Sequence, residues 1–249
     1  VHDGAVIPSP DGDRRAVLLP GPDQLELCTP RLRLRPVAEH ELEELLVLHA
    51  DPRAFAEDLT EPLTDRAQMR WVLGRWRESW VEHGVGYLSV RAHRPSGSSA
   101  NDGFPTAAGP SEAALPGAAT PGERAPLPEG LLGVVGLTPL GAEHPTVLSA
   151  YWRLSPAATG RGVASEAMRA VLTHPQLGGR TGGSSGRTGG SGGGDGDRGD
   201  GGAEIIAVTA ADNRPSRALA SRLGFVPAPP ERPVPGGRAG DVLLVLAGS

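Results

Sequence analysis

Apolar positions along the chain come in short blocks that switch between two periods, one of about two residues and one of about 3.6. The block QLELCTPRLRLRPV alternates. It puts Leu25 and Leu27 on one face and, after a turn at Pro30, Leu32 and Leu34, which predicts a half-buried strand. In AEHELEELLVLHA, Leu42, Leu45, Leu46 and His49 recur at helical spacing, with Glu41, Glu43 and Glu44 turned outward. A loop over 51–64 follows. Asp65, with Gln68 three residues later, then resembles a capping box. Met69, Val72, Leu73, Trp76 and Trp80 continue at spacings of three and four, so a second amphipathic helix is expected. Its tryptophans read as core packing rather than as a ligand platform.

The remainder repeats the two periods. GYLSVRAH, LLGVVGLTPL and TVLSAYWRLSP read as strands, and residues 163–172 repeat apolar pairs every four residues as a helix. EIIAVTA is a strand and NRPSRALASRLGF a short helix, and one or two strands follow it, of which DVLLVLAG closes the fold. The short helix is marked at both ends. Asn213 suits its N-cap, Pro215 its first turn, and Gly224 a left-handed C-cap with Phe225 packing back. A helical crossover from 163 to 172 joins strands that should run parallel, so the fold class is α/β (α+β) with a mixed sheet.

Composition then separates the folded part from the rest. Glycine (36) and proline (25) make up about a quarter of the 249 residues, but they are concentrated in particular segments. Residues 1–24 read as a disordered N-terminal extension and 25–249 as the domain. Within it, insertions at 94–130 and 178–202 lack the apolar surface to order themselves. The net charge is −5, all 24 basic residues are arginine, and no basic run suggests nucleic acid as a partner. No stretch is apolar enough for a membrane span, and the first residues lack the charge and apolar pattern of an export signal. A single cysteine, Cys28, excludes an internal disulfide, so a cytoplasmic protein is expected. His40 and His49 lie nine apart and do not form the HExxH zinc pattern; no metal site is expected.

The informative stretch is LSPAATGRGVASEAMRAVL, from Leu154 to Leu172. A strand ends at a turn carrying Gly160 and Gly162, and a helix begins at once. Free N–H groups at 160–164 and the positive end of the helix dipole make this an anion site by construction. Three phosphate sites compare differently with it. A P-loop needs a lysine that this chain lacks. A dinucleotide fold needs GxGxxG after the first strand of a βαβ unit, whereas here Gly160-x-Gly162-x-Ala164 sits in a mixed sheet. The third is the pyrophosphate of coenzyme A.

On these residues the sequence resembles the GCN5-related N-acetyltransferase (GNAT) superfamily, in its ribosomal-protein N-terminal acetyltransferase-like branch. Three elements carry the resemblance, in order: TPRLRLRP, YWRLSPAATGRGVASEAM and NRPSRALASRLGFV. It implies a mostly antiparallel central sheet of six to seven strands flanked by about four helices. It implies acetyl-CoA as cosubstrate and direct transfer to an amine, either a protein N-terminus or a small molecule, by a monomer or homodimer. The family's Q/R-x-x-G-x-G/A pattern falls on Thr159, Gly160, Arg161, Gly162, Val163 and Ala164. Gly162 and Ala164 match; Thr159 removes a usual positive side chain, and Arg161 is the candidate to compensate.

The resemblance also implies the remaining site residues. Trp152, Arg153 and Leu154 would give backbone hydrogen bonds to pantetheine. The tyrosine common on the last helix is replaced by Ala220, and Ser216, in N-x-x-S, is the substitute donor to the departing sulfur, with Asn213 orienting. Candidates for the base are Glu57, Asp58 and Glu61, and a relay through water is equally open. Glu143 and His144, in the turn at the far end of the sheet, are disfavoured. Glu166 reads as a surface residue stabilising the helix dipole. Two other classes stay open, a non-catalytic acyl-CoA-binding or regulatory module and a protein-interaction module whose glycine turn is only structural.

Overall fold

The computed structural model describes residues 25–58, 60–93, 126–141, 146–178 and 203–248. The N-terminal extension, most of both insertions, and Glu143 and His144 lie outside them. Among the described residues, eight strands form one sheet: β1 (Leu27–Cys28), β2 (Leu32–Pro36), β3 (Tyr87–Ala92), β4 (Leu131–Pro139), β5 (Val147–Leu154), β6 (Glu204–Ala210), β7 (Phe225–Pro227) and β8 (Asp241–Leu246). Their spatial order is β1-β2-β3-β4-β5-β6-β8-β7. Every neighbouring pair is antiparallel except β5 with β6, which the helical crossover makes parallel.

Four α-helices cover the sheet: α1 (Leu42–Ala50), α2 (Arg66–His83), α3 (Val163–Thr173) and α4 (Arg214–Arg222). Leu42, Leu45 and Leu48 of α1 and Met69 and Leu73 of α2 pack with Val134 on one face. Val163, Ala167, Met168 and Val171 of α3 pack with Leu88, Val135 and Ile205 on the other. Central β4 is therefore covered on both sides. That is why its residues are buried without a break from Leu132 to Leu137, and why the sequence there is a continuous apolar run.

Three sequence expectations need correction. The sheet has eight strands rather than six or seven. Pro30 splits the first alternating run into β1 and β2, and β7 is only three residues long before a proline-rich loop. Glu41 does not face outward. A 3-10 turn over Glu39–Glu41 precedes α1 and rotates Glu41 inward, where it accepts from the Ala38 N–H at 3.0 Å and pairs with Arg91 of β3 at 2.9 Å. At the start of α2, the Asp65 carboxylate does accept from the Gln68 N–H at 2.9 Å. The Gln68 side chain, however, reaches back one residue further than expected, to the Thr64 N–H.

Candidate active site

Strands β5 and β6 pair only over Val147–Ser149 and Glu204–Ile206. Past that point β5 pairs with β4 alone, as far as Leu154 opposite Gly133, and β6 pairs with β8. The strands part, and the β5 edge from Ala150 onward loses its second ladder. A cavity of about 660 Å³ opens there. It is walled by Trp152, Arg153 and Leu154, by the glycine turn and first residues of α3, by α4 from Asn213, and by the loop over 53–58. Backbone groups on a strand edge facing a cavity need partners from whatever fills it.

The glycine turn is set by conformation. After a 3-10 turn at Pro156–Ala158, Gly160 and Gly162 both take left-handed backbone, with φ of 75° and 77°. Side chains with a Cβ are disfavoured in that region. Gly162 is the N-cap of α3, so the first N–H groups of the helix have no intrahelical acceptor. The turn is also clamped from outside. Glu166 accepts from the Thr29 hydroxyl at 2.5 Å and from the Arg31 Nε at 2.7 Å, while Arg31 Nη1 donates to the Arg161 carbonyl at 3.1 Å. Burial alone would raise the Glu166 pKa, but the bonds from Thr29 and Arg31 outweigh it and hold the carboxyl below its usual range. Glu166 is thus a half-buried clamp, not the surface residue expected. Arg161 also differs from expectation. Its guanidinium leaves the cleft and donates to the Pro126 carbonyl at 2.8 Å, and its side chain does not line the cavity.

At the opposite helix end, Asn213 Oδ1 accepts from the Ser216 N–H at 2.9 Å, which caps α4 and fixes the Ser216 backbone. The Ser216 hydroxyl accepts from the Trp152 indole N–H at 2.7 Å. An indole can only donate, so Ser216 keeps its own proton free to give elsewhere. Trp152, Arg153, Leu154, Thr159, Gly160, Gly162, Val163, Ala164, Asn213 and Ser216 all line the one cavity. Ala220 is fully buried in the core. Gly224 adopts φ 94° after α4 and Phe225 is buried, as the sequence predicts.

Of the three base candidates, Glu57 and Asp58 line the cleft and Glu61 does not. Asp58 is already engaged, since Arg153 Nη2 donates to it at 2.6 Å. Burial would raise its pKa, but bonds from the Thr60 N–H and from Arg153 outweigh that and keep the carboxyl low, which makes it a weak base. The backbone of Arg153, expected to serve the ligand with those of Trp152 and Leu154, instead faces β4 in the ladder, and it is the Arg153 side chain that enters the site. Strand alternation carried the signal, because Tyr151 and Arg153 share a face that Trp152 and Leu154 do not. Among the described residues, no group of three or more His, Cys, Asp or Glu is placed to hold a metal. None of the described helices is long and apolar enough to cross a membrane.

A family model described as an acetyltransferase (GNAT) domain matches residues 31–226. No curated protein matches the sequence. Solved structures share the fold at low identity. An acetyltransferase from Agrobacterium tumefaciens aligns with a TM-score of 0.55 and 18% identity, over 89% of this chain and 93% of its own. The spermidine N-acetyltransferase of Vibrio cholerae, solved in complex with CoA and spermine, aligns at 0.50 and 14%, over 87% and 96%. RimL, a ribosomal L7/L12 alpha-N-protein acetyltransferase, aligns at 0.52 and 14%, over 87% and 90%. With the family model spanning most of the chain and the parted β5–β6 strands meeting a glycine turn in the same fold, the protein belongs to the GNAT acetyltransferase family.

Proposed function

We propose that this protein transfers the acetyl group of acetyl-CoA to a primary amine by direct attack, with no covalent enzyme intermediate. The N–H groups at 160–164 and the α3 dipole bind the pyrophosphate, with the Arg31–Glu166 clamp holding the turn in shape. The β5 edge gives the pantetheine arm its backbone partners at Trp152 and Leu154, since the Arg153 N–H and carbonyl point the other way, to β4. Acetyl-CoA itself supplies the activated acyl group and a thiolate leaving group. The incoming amine must be unprotonated, and Glu57, on the cleft wall and outside the Arg153 pair, takes up its proton directly or through water. Ser216 donates to the departing sulfur.

The observation that carries this reading is the Trp152–Ser216 hydrogen bond inside the cavity that the glycine turn borders. It polarises Ser216 toward donation at the place where a proton is required. The domain is taken as 25–249, with insertions at 94–130 and 178–202. Two amine classes are brought forward by related folds, a polyamine, as in the spermine complex, and a protein N-terminus, as in RimL. Thiol release from acetyl-CoA, followed across a panel of polyamines, amino acids, amine antibiotics and short peptides with free N-termini, tests the proposal. Amine-dependent release supports it. CoA binding without release for any amine would favour a non-catalytic module instead.

A further inference from the structure

The cleft wall over 53–58 is a 3-10 turn, Pro52–Phe55, running into a loop, and so short a piece beside a reaction centre needs something to fix it to the sheet. It has few apolar anchors, Phe55 being its one buried large side chain. What holds it is a cation from the sheet. The Arg153 side chain is 7% exposed and rises from β5 where that strand has already parted from β6. Its Nη1 donates to the Ala54 carbonyl at 2.7 Å, its Nη2 to Asp58 at 2.6 Å, and its guanidinium carbon lies 3.6 Å from the centre of the Phe55 ring. One side chain therefore grips three residues of the loop, on either side of Ala56 and Glu57.

The cation is held from behind as well. Its Nε donates to the Tyr151 hydroxyl at 2.8 Å, and that hydroxyl lies 3.4 Å from His49 Nε2. His49 Nδ1 donates to the Leu45 carbonyl at 2.8 Å, so Nε2 is left as acceptor for Tyr151. A planar guanidinium can meet a carbonyl, a carboxylate, a hydroxyl and a ring face at once; an ammonium cannot. Buried ion pairs are a weak source of stability compared with apolar packing of the same volume, and fixing geometry is their better-attested use.

We infer that Arg153 is a positioning residue, locking the 54–58 loop onto the cofactor-bordering strand so that Glu57 stands at the acceptor side of the cleft. This rests on the acetyl-transfer reading above for the meaning of "acceptor", but the lock itself does not depend on turnover. Arg153→Lys keeps the charge and loses the fork.

Amide hydrogen exchange on the full chain, without ligand, reads the lock directly. The expected result is faster exchange across 54–58 by about tenfold or more, with exchange in β4 and α3 unchanged. With acetyl-CoA and either spermine or a short peptide bearing a free α-amine, KM for the amine should rise about tenfold while the KM for acetyl-CoA stays within about twofold. Asp58→Asn, which removes the loop's charge but keeps an oxygen to accept from the Thr60 N–H, should raise the same local exchange and decides the matter if the lysine variant does not fold. Unchanged exchange at 54–58 in the folded variants would overturn the lock. A matched loss of affinity for amine and acetyl-CoA would overturn the positioning role. If neither amine turns over with the wild type, the acetyl-transfer reading suffers, and the exchange result still stands or falls alone.

Discussion

One wall of the cleft is backbone: two left-handed glycines, the open start of α3 and the unpaired edge of β5. The facing loop is held by side chains, with a buried arginine gripping a carbonyl, a carboxylate and an aromatic ring. The contrast has physical consequences. A backbone wall carries no titratable group and responds to shape and bulk. A side-chain wall responds to charge, hydrogen-bond geometry and pH. The first suits a ligand part that is the same in every turnover, and the second is where an acceptor can be selected.

The largest effect should come from breaking the backbone wall. Gly162→Asp forces a Cβ into left-handed backbone and sets a carboxylate where the pyrophosphate belongs. CoA affinity should fall by on the order of 10³-fold in calorimetry. Next is the proposed proton donor, Ser216. Ser216→Ala should lower kcat by about 10²-fold with little change in CoA affinity, measured in steady-state kinetics beside binding. A smaller effect isolates the donor's support. Trp152→Phe keeps the ring and deletes the N–H, so kcat should drop about tenfold. In the double variant with Ser216→Ala the tryptophan change should add nothing, because the hydroxyl it orients is gone.

The side-chain wall has no comparable effect on turnover and shows instead as pH-dependent stability. Burial, with Arg153 nearby adding to it, pushes the His49 pKa down from 6.5 to about 4. The unfolded chain then binds the proton more readily than the folded one. Stability is full above about pH 6.5 and is lost as pH falls toward 4. Chemical denaturation should show a loss of about 2 kcal/mol between pH 7 and pH 5 from this group. The lowered carboxylates Glu44, Asp58 and Glu166 lose their contributions only at more acid pH. His49→Gln should flatten the pH 7 to 5 slope; an unchanged slope would remove His49 from the account.

The two walls also differed in how far they could be read from sequence. Gly160, Gly162, the helix start at Val163 and the Asn213 cap are local signals, each declared within a few residues. The β5–β6 crossover follows from them through the handedness of parallel connections. Asp58 and Arg153 lie 95 residues apart, Trp152 and Ser216 64 apart, and Arg31 and Glu166 135 apart. No local pattern pairs them, and charges that look like a solvated surface in a string of letters become partners only when the sheet brings them together. Glu41 turns inward for the same reason, since the arginine that draws it in comes from β3, 50 residues on. Strand β7 stays open in the sequence, as the first of one or two strands after the last helix, because three residues beside proline carry too little alternation to register.

The central claim is that the cleft between β5 and β6 holds acetyl-CoA, with its pyrophosphate on the glycine turn. Amide hydrogen exchange over the whole chain, with and without CoA, tests it most directly. The account predicts slowed exchange concentrated at amides 160–164 and at the open-edge amides 152 and 154 of β5, abolished in Gly162→Asp. CoA that binds while leaving those amides unprotected, or that protects them equally in the aspartate variant, would contradict it.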